Sequence, residues 1–516
     1  MTAEPFPSGL PLGLDAGVRE RRGRAGLGTG RALVGGDPPR ALRLSRAGAA
    51  VLDRLRTTGA GPSEPERRLA RTLVDGGLAH PRPPRTDVSA GSVTVVVPVR
   101  DRAALLGRCL AAAGVPGADV LVVDDGSRDP VAVAAVCAAH GARLVRREAS
   151  GGPAAARNTA LAHVDTPLIA FLDSDCVPRP GWIEALIGHF ADPLVGAVAP
   201  RVSGAAGAEH GRERGAAHPP TGRLAHPFPD RERMRQRTGE SDRAPARVGA
   251  VARFAAARSP LDLGARPARV APGGRVAYVP TAALVLRLEA LGDGFDPALR
   301  YGEDVDLVWR LHDAGWRVRY DPAAVVDHAE PARLPELLAR RFHYGTSAAP
   351  LAARHPGRLA PFVVHPWSAA VAGLVLARRP GLAALVAGAQ GAALARRLRP
   401  AGAGARDALT WPVRGAAQTL TAGGRTATML APPVLAAGLA SRRTRPAALV
   451  LLLASPVAEW AARRPALDPV RWAVLSVADD VAYGAGVWAG AARARTGAPL
   501  RPAWGGRPGG RARARG

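Results

Sequence analysis

Two stretches decide the reading of this chain: DVLVVDDGS at residues 119–127 and PLIAFLDSD at 167–175. Each is an apolar run without alternation that ends in acidic residues. An uninterrupted apolar run of this length predicts a strand covered on both faces. SVTVVVPV (92–99) has the same character, and ARLVRR (142–147) is a further strand. The segments between them predict helices: RAALLGRCLAA (102–112), PVAVAAVCAAH (130–140) and PAAARNTALAHV (153–164). Strands alternating with helices make an α/β fold with a mainly parallel sheet. Such sheets bind ligands beyond the carboxyl ends of their strands, which is where the acidic residues stand.

Outward from this unit the chain changes character twice. RALVGGDPPRALRLSRAGAAVLDRL (31–55) predicts a hairpin and then a helix, with the turn supplied by the Gly/Asp/Pro run. Ala47, Val51, Leu52 and Leu55 recur at helical spacing. SEPERRLARTLVDGGL (63–78) predicts a second helix that stops at Gly76 and Gly77. Residues 1–84 therefore form a small α+β module that folds on its own, and 85–91 complete a Pro/Arg linker. The α/β domain spans 92–348. It is interrupted at 204–247 by an irregular Gly/Pro/Arg/His-rich insertion, and VAYVPTAALVLRLEAL (276–291) predicts a further strand pair. From 359 to 516 the chain is Ala/Leu/Val-rich, helical and broken by Arg clusters. Its longest run without charge, Leu359 to Ala377, just reaches membrane-spanning length but holds Pro361, His365 and Pro366. Buried helices and contact with a membrane surface are the two readings of this tail.

Composition narrows the function. Of 516 residues 70 are basic, all of them Arg, and the formal net charge is +27. The lack of Lys excludes Schiff-base chemistry and a P-loop. The positive charge favours anionic lipid or phosphorylated ligands. Nucleic acid is set aside because the Arg residues are dispersed and no zinc-finger, basic-helix or RNP-type motif is present. Cys109, Cys137 and Cys176 are few and unclustered, which excludes a disulfide framework and fits the cytoplasm. The opening MTAEPFPSGL lacks the pattern of a secretory signal.

The strand ends carry the chemistry. Asp124 is placed to accept hydrogen bonds from a base or ribose, and Gly126 lets the chain turn; an ordinary Asp-Gly turn with a helix cap is the plainer alternative. Asp173 and Asp175, two positions apart, are suited to a hard divalent cation beside a diphosphate. Trp182, just beyond, is placed to wall that site. His328, in AAVVDHAEP (323–331), is a candidate third metal ligand. Glu303, Asp304 and Asp306 open an amphipathic helix in YGEDVDLVWRLHDAGW (301–316), with Arg310 a partner for one of them. They complement the helix dipole or supply a base that deprotonates an acceptor hydroxyl. Arg157 is placed to meet a diphosphate, and Asn158, the sole Asn of the chain, points to a specific hydrogen-bonding need.

Taken together, VVVPVRDR, VVDDGS, GGPAAARNTAL, FLDSDCVP and YGEDVDLVWRLHDAGW resemble the family 2 glycosyltransferases of the GT-A fold. The resemblance implies a Rossmann-like nucleotide-sugar domain in which Pro98, Arg100, Asp124, Asp125 and Arg157 line the nucleotide pocket. It implies that Asp173 and Asp175 bridge the diphosphate and a Mn²⁺ or Mg²⁺ ion, and that Asp304 is the base, with Glu303 its rival. The Gln-x-x-Arg-Trp motif of processive members is absent; RRFHYGTS (340–347) stands there instead. Over its whole length the chain is most similar to mycofactocin-system glycosyltransferases, through a PqqD-like opening, FAAARSPLDLG (254–264) and FHYGTSAAPLAARHPGRLAPF (342–362). That similarity implies transfer of glucose from UDP-glucose to a peptide-derived redox cofactor, with the opening module serving a peptide-related acceptor. One base at the acidic helix start and a metal pair on the leaving-group side predict inversion at the anomeric carbon. The rival readings are a membrane-associated enzyme at the inner face of the cell membrane acting on a lipid or cell-wall acceptor, and an inactive nucleotide-sugar-binding module.

Overall fold

The computed structural model describes residues 4–22, 30–206, 248–398 and 405–504. The insertion expected at 204–247 lies outside the described residues from 207 onward.

The N-terminal module contains β1 (Leu12–Leu14), β2 (Arg19–Arg22), β3 (Arg31–Gly35), β4 (Arg40–Leu44), α1 (Arg46–Thr57), α2 (Glu64–Asp75) and β5 (Ala79–Pro81). Strands β2, β3 and β4 form an antiparallel sheet, and β1 pairs with β5. Ser45 caps α1 by accepting from the Gly48 N–H. The buried stripe of α1 is Ala49, Leu52 and Leu55; Ala47, expected in it, is exposed. Phe6, Leu12, Leu33, Leu52, Leu55 and Leu73 give the module its own apolar core. It is nevertheless clamped to the next domain. Arg71 makes two hydrogen bonds of 2.8 and 2.9 Å to Asp192, with both side chains buried. Arg317 reaches Asp75 at 2.9 Å, and the Arg275 N–H donates to Asp37 at 2.6 Å.

The central domain runs β6 (Val93–Val99), α3 (Ala103–Ala113), β7 (Asp119–Asp125), α4 (Pro130–Ala139), β8 (Arg143–Arg147), α5 (Pro153–Leu161), β9 (Leu168–Leu172), β10 (Cys176–Pro178), α6 (Glu184–Ile187) and β11 (Val195–Ala205). After the gap come α7 (Ala250–Ala257), β12 (Ala268–Val270), β13 (Ala283–Arg287), α8 (Glu303–Asp313), β14 (Arg317–Ala329), α9 (Leu334–Thr346) and α10 (Ala348–Arg354). The sheet order is β10-β14-β11-β13-β9-β6-β7-β8, with β12 beside β14. Its two cores follow from side-chain alternation: Val93, Val95, Val97 and Val99 face one, and Val96 faces the other with Ile169 and Phe171.

Two expectations need correction. The sheet is mixed: β9-β6-β7-β8 is parallel, as is β11 with β14, but β13 runs antiparallel to both β9 and β11. The predicted pair in 276–291 is a single strand, β13. Its first half is an extended segment that bridges β12 at Val276, and a turn at Thr281 and Ala282 separates it from β13.

The tail consists of α11 (Pro366–Leu376), α12 (Pro380–Leu398), α13 (Ala405–Leu430), α14 (Pro432–Ala440), α15 (Arg445–Arg463) and α16 (Pro469–Arg493). Among the described residues no helix is long and apolar enough to cross a membrane. The uncharged run from Leu359 yields only the 11-residue α11. Rather than hanging free, the tail is packed against the central domain through α9. Helices α9 and α16 approach so closely that a β-carbon on Gly345, Gly486 or Gly490 would collide with backbone of the opposite helix. A buried ionic cluster reinforces the joint. Arg258 donates to Asp479 (2.5 Å), Asp480 (3.0 Å) and Glu459 (2.8 Å), while Arg341 donates to Asp479 (2.5 Å).

Candidate active site

The carboxyl ends of β6, β7 and β9 open on one side of the sheet, as parallel neighbours must. There a cavity of about 2120 Å³ lies between the sheet edge, α8, α9 and the tail helices α13, α15 and α16. Pro98, Arg100, Asp125, Arg157, Asp173, Asp175, Glu303, Asp304 and His328 all line it. Residues more than two hundred positions apart therefore converge on one cavity.

Asp124 sits behind the wall, buried. Its carboxylate accepts the Ser127 N–H at 2.9 Å and pairs with Arg146 at 2.5 Å. The turn after β7 is thereby fixed, and Ser127 ties it to the turn after β6 by accepting the Asp101 N–H at 2.7 Å. Asp101 and Arg102 hold left-handed φ values of 58° and 61°, an uncommon state for non-glycine residues. Asp125 accepts from Gly151 N–H (3.0 Å), Gly152 N–H (2.8 Å), Ser150 (2.7 Å) and Arg147 (2.8 Å). Burial alone would raise its pKa, but these donors hold it below the usual range. Both acidic residues of VVDDGS thus shape the pocket floor.

Arg157 is buried and spans the site. It donates to Asp173 at 2.7 Å and to Glu303 at 2.9 Å, with its guanidinium 5.4 Å from the Phe295 ring centre. Its neighbour Asn158 explains its own singularity. The amide donates to the Phe295 carbonyl (2.7 Å) and accepts the Phe295 N–H (2.8 Å), fastening α5 to the loop before α8. Asp306 pairs with Arg310 at 2.8 Å and His355 at 2.9 Å, so it is structural. Trp182 does not wall the site; it is buried in the apolar core that also holds Val95, Leu172 and Ile183.

Asp304 differs from its neighbours. With Glu303 engaged by Arg157, Asp304 among the described residues holds only the N–H of the adjacent Val305, at 2.8 Å. Its pKa is pushed up to about 7, first by burial and then by the charge of Glu303. A carboxyl group poised near neutrality at a cavity wall is equipped for proton transfer.

The Asp173 carboxyl is also raised, by burial and by the like charge of Asp175, against the pull of Arg157. His328 faces Asp175 with Nε2 3.6 Å from Oδ1, and Nδ1 lies 3.1 Å from Glu330. The buried glutamate thus fixes the ring orientation and leaves Nε2 toward the cavity. Among the described residues no group of three His, Cys, Asp or Glu side chains closes into a metal cage. The donor set still fits a hard cation that takes one carboxylate, one imidazole and several diphosphate oxygens, since such ions keep open positions for substrate phosphates and water.

Sequence reading missed the tail's share of the wall: Arg425, Glu459, Asp479, Asp480 and Tyr483. One signal existed. From 359 onward the only acidic residues are Asp407, Glu459, Asp468, Asp479 and Asp480, and three of these five are the ones bound to Arg258.

A family model for glycosyl transferase family 2 matches residues 94–257. The chain is 39% identical over 519 aligned residues to the pre-mycofactocin glycosyltransferase of Mycobacterium tuberculosis strain H37Rv, covering 97% of this chain and 99% of that protein. It is 36% identical over 109 residues to the succinoglycan biosynthesis protein ExoU of Rhizobium meliloti, covering 20% of this chain and 32% of that one. Among solved structures, it aligns with the mannosyltransferase PcManGT from Pyrobaculum calidifontis in complex with GDP-Man and Mn²⁺. That alignment has a TM-score of 0.41 and 19% identity, covering 79% of this chain and 89% of the other.

Proposed function

The chain belongs to glycosyl transferase family 2, and from that premise we propose that this glycosyltransferase moves glucose from UDP-glucose onto pre-mycofactocin with inversion at the anomeric carbon. The observation that carries the mechanism is the division of labour around Arg157. Asp173 is held on one side of it and Glu303 on the other, which leaves Asp304 as the free carboxylate. The acceptor is taken from the 39% identical relative, whose name specifies it. An α+β module of PqqD-like sequence ahead of the catalytic domain suits an acceptor of peptide origin.

In this reading Pro98, Arg100 and the loop that Asp125 organises hold the nucleotide, with Asp124 bracing the floor. Asp175 and His328, with Asp173 at the edge, would hold Mn²⁺ or Mg²⁺, which when bound neutralises charge gathering on the departing diphosphate. Arg157 keeps Asp173 oriented and draws Glu303 away from the acceptor. Asp304 receives the acceptor hydroxyl proton as the acceptor oxygen bonds to the anomeric carbon and the bond to the diphosphate breaks. One carboxylate on the acceptor side suits a single displacement, in which an α-linked donor gives a β-linked product. The test is a mass-spectrometric transfer assay with UDP-glucose and pre-mycofactocin. One hexose added with release of one UDP supports the reading; no transfer with this pair rejects the substrates.

A second feature supports attachment at an anionic membrane surface. Leu385 on α12, Val434 on α14 and Val457 on α15 are 69%, 70% and 55% exposed. The exposed residues Arg378, Arg379, Arg442, Arg443 and Arg445 flank these helices. Apolar side chains beside arginines suit the boundary between headgroups and acyl chains. Flotation with anionic but not neutral vesicles is the expected behaviour; no flotation with either rejects it.

A further inference from the structure

Aromatic residues make up only 4% of this chain, and it has five tyrosines. Tyr278, Tyr301, Tyr344 and Tyr483 all line the catalytic cavity; the fifth, Tyr320, is buried and donates to the Gly264 carbonyl at 2.5 Å. The four come from separate elements: the extended segment before β13, the turn entering α8, and helices α9 and α16. Tyr301 and Tyr344 lie edge to face, with ring centres 6.4 Å apart, and Tyr301 stacks on His343 at 5.2 Å. Helix α16 brings Tyr483 to the same wall, because its backbone carbonyl packs directly over Gly345, the residue after Tyr344. All four side chains are half-buried at the cavity surface. Among the described residues, these four hydroxyls have no hydrogen-bond partner, so they are left to whatever enters the cavity.

We propose that Tyr278, Tyr344 and Tyr483 form the acceptor subsite, which receives a flat hydroxylated ring and presents its hydroxyl to Asp304. The tail helices thus complete the catalytic centre and select the acceptor's reacting ring. This rests on the reading that Asp304 takes the acceptor proton. The ring faces supply apolar contact that a pyranose or a phenolic ring matches equally, and the hydroxyls supply donors and acceptors at its edge. Burial, and for Tyr278 also the Asp304 charge, raises the Tyr278 and Tyr344 hydroxyl pKa values, so both stay protonated. None of the described residues of the N-terminal module lines the cavity. Any part the module plays with the acceptor is therefore away from the reacting ring.

The test uses the full-length protein with Mn²⁺ and the variants Tyr483→Ala, Tyr483→Phe and, as a control on an exposed face of the same helix, Val474→Ala. Loss of one aromatic contact of this kind is expected to raise the acceptor KM about tenfold in Tyr483→Ala. UDP affinity, measured by calorimetry, should be unchanged, and Val474→Ala should alter neither. Should Tyr483→Ala lose UDP binding through misfolding, Tyr483→Phe and Tyr344→Phe are to be measured instead, with a smaller rise in acceptor KM expected. An unchanged acceptor KM in a tyrosine variant that still binds UDP overturns the proposal. Saturation-transfer NMR with methyl β-D-glucoside and with 4-methylphenol identifies the ring. The probe that binds wild type and not Tyr483→Ala names it, and failure of both to bind wild type overturns the subsite. A ring probe that behaves as expected in a protein that transfers nothing from UDP-glucose keeps the subsite and rejects the proposed donor.

Discussion

Replacing Asp304 by Asn should cut turnover steeply while making the protein more stable at alkaline pH. The pKa rises from an ordinary 3.8 to about 7 in the fold. A shift of that size is worth about 4 kcal/mol of preference for the protonated form. Because the folded pKa exceeds the unfolded one, the folded state loses stability as pH rises from about 4 to 7, and the full penalty stands above that range. Asparagine keeps the shape and removes the charge, so the melting temperature of the variant should exceed that of wild type at pH 8 and match it at pH 4. Catalysis should move the other way. A base must be ionised to accept a proton, so wild-type kcat/KM for the acceptor should fall as pH drops below about 7. Asp304→Asn should cost about 10²–10⁴-fold. Glu303 raises Asp304 by like charge, so Glu303→Gln should move the acid limb to lower pH. Thermal melts and pH–rate profiles on the three proteins are the assay. A variant less stable than wild type at pH 8, or a wild-type profile flat between pH 5 and 8, refutes the reasoning.

The metal site, the two clamps and the base assignment give further predictions. Chelator, and separately Asp175→Ala, should each suppress transfer at least about a hundredfold, with activity returning on added Mn²⁺ only for the chelated wild type. Arg71→Met leaves the buried Asp192 without its bidentate partner and should destabilise the protein by about 3–5 kcal/mol. That loss is measurable by denaturant titration and by proteolysis between residues 82 and 92. Asp479→Ala strips a carboxylate from both Arg258 and Arg341 and should destabilise by a similar amount, about 3–5 kcal/mol. It should also raise the acceptor KM, because the tail wall loosens. Full activity in Asp304→Asn with an inactive Glu303→Gln would transfer the role of base to Glu303.

The central sheet was legible because β6, β7 and β9 are covered on both faces, and double burial writes itself as an unbroken apolar run. The positions of Asp173, Asp175, Glu303 and Asp304 followed, since strand ends and helix starts are punctuated locally. The antiparallel β13 was not legible as such, because direction is set by the chain path and leaves no period in the sequence. Nor was the pairing of Arg157. Its local pattern is a helix face, while its two carboxylate partners lie 16 and 146 residues away. The tail was the largest omission. An Ala-rich helix reads alike whether it is free, at a lipid surface or docked. What docks it is a close approach at Gly345, Gly486 and Gly490 and the cluster around Arg258, which become visible only once the two ends of the contact are brought together.

The most direct test of the account is the configuration of the first product formed from UDP-glucose, followed by proton NMR of the anomeric signal during turnover. Single displacement with Asp304 as base predicts a β-linked glucosyl product, marked by a large diaxial coupling, from the α-linked donor. An α-linked product at the earliest time point would contradict it, since a single displacement from the far side inverts the anomeric carbon.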